Sequence, residues 1–420
     1  MARLVLCPFG SGGDVNPFIW LGKLLKARGH EVVVVTVPMF DEVVRRAGLE
    51  FHAVGDREEY EKLVFDPRLW QPLIGTGMVF QAAAKSLRPF FEAIREEVAK
   101  GKAGKVMIAA PFQNVAGRLA CEVLGVPLVT VHLQPIAMFS VHDEAVFVQG
   151  AKWLAKLPWW AKKVLYGMPN PADLLLAPEI KRLCAEFGVK APGRVLRDWL
   201  HSPDGDLCLW PQWFAGRQPD WPVKARAVGF PLEDLRGQFV WPEGLREFLD
   251  EGERPVLLTA GTGNAQAREF FGAGLKACES LGVRALLGTR YREQLPEVLP
   301  DWARWFEYLP FGELLPSMAA MVHHGGIGTM SQAFAAGVPQ VVVPMAHDQP
   351  DNGARMERLK AGGVAARLGD LERVLRGVME SGEVKAACVR VAAMCREDRA
   401  ADGAVQMMEG VLTGEGGTRG

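Results

Sequence analysis

The 420-residue sequence predicts two α/β domains, each a parallel sheet covered by helices on both faces. Three observations carry that reading. The length exceeds what one hydrophobic core ordinarily organises and suits two units of roughly 200 residues. Short apolar runs alternate with apolar residues at helical spacing, the pattern of strand-helix-strand crossovers. The alternation then begins again midway, beyond a Pro- and Trp-rich stretch from Trp210 to Trp241.

The first series opens on Leu4-Val5-Leu6-Cys7, a short apolar run, and the turn Gly10-Ser11-Gly12-Gly13. Phe18, Leu21, Leu24 and Leu25 fall at helical spacing, and Glu31-Val32-Val33-Val34-Val35 is a strand of the fully buried type. Val106-Met107-Ile108 and Pro127-Leu128-Val129-Thr130-Val131 continue it. The second series runs Pro255-Val256-Leu257-Leu258-Thr259, the turn Gly261-Thr262-Gly263-Asn264, a helical stretch to about Leu281, and Arg284-Ala285-Leu286-Leu287. Ala320-Met321-Val322-His323 follows, then a second glycine turn, a helix from Thr329 to Ala336, and Gln340-Val341-Val342-Val343. Two Rossmann-like domains are expected, 1–227 and 228–395, with 396–420 a C-terminal helix and a disordered tail.

Composition narrows the class. Hydrophobic residues make up 49% and charged ones 23%, a globular profile, and the net charge of -1 gives no pull toward nucleic acid. The seven cysteines are odd in number, scattered and without CxxC spacing, so reduced thiols in a cytoplasmic protein are expected rather than disulfides or zinc. The N-terminal apolar run breaks at Pro8 and Gly10, too soon for a signal peptide, and no run of about 18 apolar residues suggests a membrane span.

The chemistry gathers at His323-His324-Gly325-Gly326-Ile327-Gly328-Thr329. A glycine turn between a strand and a helix aims several backbone N–H groups at one point, and the helix N-terminus adds a field that favours an anion. Thr329 can add a hydroxyl and His324 an imidazole N–H. A tight turn with glycines for packing alone is the competing reading. Some twenty residues on, Asp348-Gln349 follows a strand, at the rim where α/β folds bind ligands, and could take hydrogen bonds from sugar hydroxyls. Near the N-terminus, Asp14 opens a helix without a dinucleotide fingerprint around it. It reads either as a capping carboxylate or as a general base at the cleft.

The ordered set Val322 to Thr329, Ala336-Gly337-Val338-Pro339 and Asp348-Gln349-Pro350-Asp351-Asn352 resembles the two-domain (GT-B) nucleotide-sugar glycosyltransferases, the group holding plant, sterol and antibiotic enzymes. The resemblance implies that His324, Gly326, Gly328 and Thr329 hold the donor diphosphate, with Thr262 in the facing loop. It implies that Asp348 and Gln349 hold the sugar and that Tyr308 and Leu309 grip the base. It implies an inverting transfer with no cofactor or metal beyond the nucleotide-sugar co-substrate. Plant members carry a histidine base where this chain has Asp14, supported by an aspartate where this chain has Ala109-Ala110-Pro111-Phe112; the bacterial and sterol members with Asp are the nearer match. Shorter pieces in order along the chain are similar to the bacterial rhamnosyltransferases of mono-rhamnolipid synthesis: Gly13-Asp14-Val15, Asp66-Pro67-Arg68-Leu69-Trp70, Pro178-Glu179-Ile180, His201-Ser202-Pro203, Asp220-Trp221-Pro222 and Gly229-Phe230-Pro231-Leu232. That likeness implies a UDP- or dTDP-sugar donor, with dTDP-rhamnose favoured, and a hydroxy fatty acyl or other lipid acceptor.

Phe18, Trp20, Trp70, Phe80 and Phe139 are the candidates for an apolar acceptor pocket, with plain core as their competing role. The segment 151–166 combines tryptophans with lysines and no acid. It suits either contact with an anionic membrane face or a solvated cover over the acceptor pocket. Asp204-Gly205-Asp206 mimics a metal-binding D-x-D but reads as a turn, and His132, His142 and His201 lack ligand spacing. The rival functions are glucosyl transfer to sterol or natural-product aglycones, nucleotide-sugar epimerisation on the same fold, and non-catalytic nucleotide-sugar binding.

Overall fold

The computed structural model describes residues 1–71, 73–232 and 241–414. The expected disordered tail beyond Gly414 lies outside them, as does part of the join, at 233–240. Thirteen strands among the described residues form two sheets. The first holds β1 (Arg3–Leu6), β2 (Glu31–Thr36), β3 (Glu50–Ala53), β4 (Val106–Ala110), β5 (Leu128–His132), β6 (Asp206–Cys208) and β7 (Ala225–Ala227), in the order β3-β2-β1-β4-β5-β6-β7. The second holds β8 (Val256–Thr259), β9 (Ala285–Gly288), β10 (Ala303–Phe306), β11 (Ala320–His323), β12 (Gln340–Val342) and β13 (Gly362–Val364), in the order β10-β9-β8-β11-β12-β13. Their pairings are parallel. Counted from its own first strand, the second sheet repeats the order of the first, as the restarted pattern implied.

The valine run of β2 shows why these strands read as unbroken apolar sequence. Val33 and Val35 enter one core cluster while Val32 and Val34 enter another, on the opposite face of the sheet. Val5 and Ile108 join the first face, Leu4, Leu6, Met107 and Ala109 the second. A sheet buried on both sides needs apolar residues at every position.

In each half the strand order reverses beside the first strand, between β1 and β4 and between β8 and β11. Ligands in open α/β sheets bind outside the carboxyl ends of the strands at that reversal. The turn with Asp14 follows β1, the turn with Thr262 follows β8, and the turn with His324 follows β11. The topology therefore brings the three glycine turns to the reversal points of the two sheets.

Two features depart from the expected organisation. The C-terminal helix Ala400–Thr413 packs back onto the first domain, with Ala400, Ala404 and Met408 buried among Leu4, Leu21 and Leu25. Its Glu409 meets Arg28 Nε at 3.1 Å. Phe18 and Trp20 lie in that same cluster, 0% and 7% exposed. This corrects their assignment to the acceptor pocket, because the helix Gly12–Ala27 turns them into the core and the returning helix covers them. All seven cysteines are buried, and none is joined in a disulfide.

Candidate active site

The helix after β11 begins at Ile327, two residues earlier than the sequence suggested, with Gly326 as its N-cap in extended backbone. No side chain caps it. Its first N–H groups are therefore left for water or an anion. A Cβ built on Gly328 meets nothing within 4 Å, so the space over the first turn is open. The neighbouring glycines have another purpose. A Cβ on Gly261, at φ +84°, would lie 2.6 Å from His324 Cε1, and one on Gly326 would lie 2.4 Å from His324 Nε2. These two glycines make the slot that holds the imidazole. Gly325 stands at φ +95°, where a Cβ would press on Val342 Cγ1 at 2.7 Å, so both its backbone conformation and the space require glycine.

The two adjacent histidines differ in kind. His323 is fully buried; its Nδ1 accepts from Gly325 N at 3.1 Å and its Nε2 meets Gln340 Oε1 at 3.0 Å. It is a structural brace for the turn. His324 Nδ1 is also buried, and it has no partner among the described residues. Burial pushes the His324 imidazole down to about 4, so it is neutral at physiological pH. An unpartnered buried polar atom costs free energy unless something satisfies it. Its position beside an uncapped helix N-terminus fits a phosphate oxygen.

Asp348 and Gln349 stand at the start of the helix Gln349–Arg358. Asp348 Oδ2 accepts from Asn352 Nδ2 at 2.6 Å, and that same amide donates to Gly325 O at 3.0 Å. Asn352 thus ties the His324 turn to Asp348, a role the sequence pattern contained but did not assign. Gln349 uses its Oε1 to accept from Met345 N at 2.7 Å and Ala346 N at 3.0 Å, which leaves its amide NH2 for a ligand. Burial, with Asp14 and Asp351 nearby, pushes Asp348 up to about 7 despite the Asn352 bond. Replacing Asn352 by Ala strands Gly325 O and one Asp348 oxygen. It is expected to cost about 1–3 kcal/mol of stability, read by urea unfolding, and to raise the donor KM.

Asp14 lies across from this set. Its Oδ2 accepts from Ser11 N at 2.7 Å and Ser11 Oγ at 3.0 Å, while Ser11 Oγ accepts from Gly13 N at 3.3 Å. The capping role weighed from sequence is present. It does not exhaust the residue, since burial raises Asp14 above the usual carboxylate range against the pull of the Ser11 bonds. Gly10, at φ +128°, is required here, because a Cβ would fall 2.3 Å from Asp14 Oδ2. Tyr60 Oη donates to Gly10 O at 3.2 Å and anchors the turn. A Cβ on Gly12 would lie 3.7 Å from Thr262 Oγ1 and one on Gly263 3.8 Å from Ser11 Cβ, so the two turns meet across the cleft.

Of the base-gripping pair, Tyr308 is 56% exposed, whereas the Leu309 side chain packs into the core with Leu257 and Leu286. Leu309 can therefore offer a base only its backbone. Trp70 belongs to the turn Pro67–Trp70 and meets the His347 ring edge-on at 6.0 Å, so it reaches the second domain beside Asp348. Phe80 is 8% exposed and packs among the core residues under the helix Ile74–Ala99, which corrects its place as an acceptor contact. Phe139 instead belongs to an aromatic run. Phe112 and Phe139 are 6.4 Å apart, Phe139 and Phe147 5.5 Å, and Phe147 and Tyr166 5.6 Å. Phe112 comes two residues after the end of β4 and Phe9 three after the end of β1, a positional signal that aromatic content alone did not exploit.

Segment 151–166 is partly committed. Lys162 is 4% exposed and its Nζ donates to Asp143 O at 2.6 Å, so it belongs to the protein interior and not to a basic face. The same loop binds the second domain, where Arg355 pairs with Asp143 and holds Asp351 Oδ2 at 2.8 Å, while Val146 N donates to Asp351 Oδ1 at 3.0 Å. Asp204 and Asp206 are split in purpose. Asp204 Oδ2 accepts from Leu128 N at 2.9 Å, and Asp206 Oδ1 accepts from His132 Nε2 at 2.8 Å and His201 Nδ1 at 2.9 Å. The sequence spacing gave no hint that those two histidines share one carboxylate.

Comparison with known proteins identifies the family and the fold. Residues 4–141 match the glycosyltransferase family 28 N-terminal domain, and residues 283–408 match the C-terminal domain described as erythromycin biosynthesis protein CIII-like. The chain is 31% identical over 408 residues to the O-mycaminosyltylonolide 6-deoxyallosyltransferase of Streptomyces fradiae, covering 93% of this chain and 89% of that protein. The structure of the calicheamicin glycosyltransferase CalG4 superposes with a TM-score of 0.71 at 20% identity, covering 98% of each chain. The spinosyn rhamnosyltransferase SpnG complexed with thymidine diphosphate superposes with a TM-score of 0.68 at 19% identity, covering 97% of this chain and 100% of that one.

Proposed function

This chain belongs to the two-domain (GT-B) glycosyltransferases that use nucleotide-sugar donors, and on that premise we propose that it moves a 6-deoxyhexose, rhamnose foremost, from a dTDP-sugar to a hydroxyl on an apolar acceptor. The observation that carries the reading is the unpartnered His324 Nδ1 beside the open, uncapped N-terminus of the helix Ile327–Ala336. A diphosphate leaving group would satisfy both at once. The donor assignment draws on two relatives whose names specify 6-deoxyallosyl and rhamnosyl transfer, both 6-deoxyhexoses, one of them holding thymidine diphosphate. The aromatic run from Phe112 to Tyr166 favours a long apolar acceptor such as a hydroxy fatty acyl lipid.

In the proposed reaction the acceptor oxygen attacks the anomeric carbon from the face opposite the diphosphate. The carbon–oxygen bond to the diphosphate breaks, the configuration inverts, and the acceptor proton passes to Asp14. Charge grows on the departing diphosphate, where His324, Thr329 and the helix N–H groups would stabilise it. Asp348 and the Gln349 amide hold sugar hydroxyls. Supplying dTDP-rhamnose, dTDP-glucose and UDP-glucose against hydroxy fatty acid, sterol and phenolic acceptors, with mass spectrometry and anomeric assignment by NMR, tests this. The expected result is consumption of dTDP-rhamnose only in the presence of an apolar hydroxyl acceptor, with inversion. Acceptor-independent conversion into another sugar nucleotide would instead make the chain an epimerase.

The raised carboxyls set a pH dependence. Asp348, near 7, and Asp14, also raised, must both be ionised in this scheme, and each disfavours ionisation of the other. Below both pKa values the pair is protonated and inactive, so kcat/KM is expected to rise with pH through about 7 and then level. In the Asp348→Asn variant the rise is expected to move to lower pH, because the carboxyl that titrates near 7 is gone. A pH–rate profile of the two proteins checks this.

A further inference from the structure

We propose that the exposed apolar side chains of the helices Lys152–Ala155, Trp159–Gly167 and the start of Pro171–Phe187 dock on an anionic lipid bilayer and that the acceptor is drawn from it. This goes beyond the transfer reaction and stands whichever sugar is moved. Trp153 is 64% exposed, Trp160 61%, Val164 68% and Leu174 71%, with Trp159 and Met168 also more than half exposed. Large apolar side chains normally scatter singly over a surface, and a cluster of this density in one short stretch marks an interaction site. Trp160, Val164 and Met168 repeat at i, i+4 and i+8, which places them in one stripe along the helix and just past its end.

The charge pattern selects the occupant. Residues 151–166 contain Lys152, Lys156, Lys162 and Lys163 and no acid. Lys152 is paired with Glu357 at 3.0 Å and Lys162 is buried on Asp143 O, so neither is free to meet a bilayer. Lys156 and Lys163 remain exposed beside the tryptophans. Tryptophan bodies with flanking lysines fit the headgroup level of an anionic leaflet, where apolar insertion and electrostatic attraction add. No helix among the described residues is long and apolar enough to cross a membrane, so contact would be from one side. The same helix that turns Trp160 and Val164 outward carries Tyr166, which ends the aromatic run from Phe112 through Phe139 and Phe147. An acyl chain leaving the bilayer at this face would meet apolar rings as far as the carboxyl end of β4.

The test is co-sedimentation of the full chain with phosphatidylcholine vesicles and with vesicles that also contain phosphatidylglycerol, at low and high salt. Binding is expected to the anionic vesicles, weakened by salt. Trp153→Ser/Trp160→Ser/Val164→Ser and Lys156→Glu/Lys163→Glu are each expected to lower it about tenfold or more, since each charge near the surface contributes about 1 kcal/mol. Because these side chains are exposed, thermal stabilisation by dTDP should be unchanged in both variants, which separates docking from donor binding. Equal binding of variants and parent to anionic vesicles, absence of binding to either vesicle, or self-association through this face without lipid would overturn the proposal.

Discussion

Asp14→Asn is expected to lower kcat about 10³-fold while leaving dTDP affinity within about twofold, since a positioned general base contributes about 10²–10⁴ in rate. Asparagine keeps the shape and can still accept from Ser11 N and Oγ, the two bonds by which Asp14 closes the turn. The variant therefore preserves the cap and removes only the proton acceptor. If Asp14 were solely a cap, turnover would survive the change. Single-turnover kinetics with the acceptor, alongside calorimetric titration of dTDP, separates the two. The Ser11 bonds both end on Oδ2, which leaves Oδ1 as the natural site for the acceptor proton.

His324→Ala is expected to cost about 10²–10³ in kcat, the size found when one preorganised donor to a developing anion is removed. It should also weaken dTDP binding by about tenfold, equal to about 1.4 kcal/mol. The loss should be the same at pH 6 and pH 8, because an imidazole pushed down to about 4 is neutral throughout and donates a hydrogen bond without contributing charge. His324→Gln, which restores an N–H donor, is expected to recover part of the rate. Gly261 and Gly326 sharpen the point. Gly326 in this turn and Gly261 in the facing turn after β8 both leave room for the ring, so these glycines serve the histidine as well as any bound phosphate.

Much of the architecture was legible in the chain because both sheets are buried on two faces. Runs such as Val32 to Val35 then appear as continuous apolar sequence, and the second series repeats the first. The strands that the sequence did not reveal are short or lie toward the sheet edges, as with Glu50–Ala53 and Gly362–Val364, where little apolar signal is needed. The turns proposed to carry chemistry were visible because glycine marks them. Residues whose role depends on a distant partner were not. Asn352 matters through Gly325 and Asp348, and Arg355 through Asp143 on the other domain. The acceptor side was read least well, because an aromatic residue in the sequence carries no sign of its facing. Phe18 and Phe112 look alike until the fold sends one into the core and the other to the rim of the sheet.

The most direct test of where the donor's diphosphate sits is a crystal structure of the chain with dTDP. The expected density places the diphosphate over the first turn of the helix Ile327–Ala336, within hydrogen-bond distance of an imidazole nitrogen of His324 and of Thr329 Oγ1. Diphosphate density away from that turn, with His324 Nδ1 still unpartnered, would contradict it.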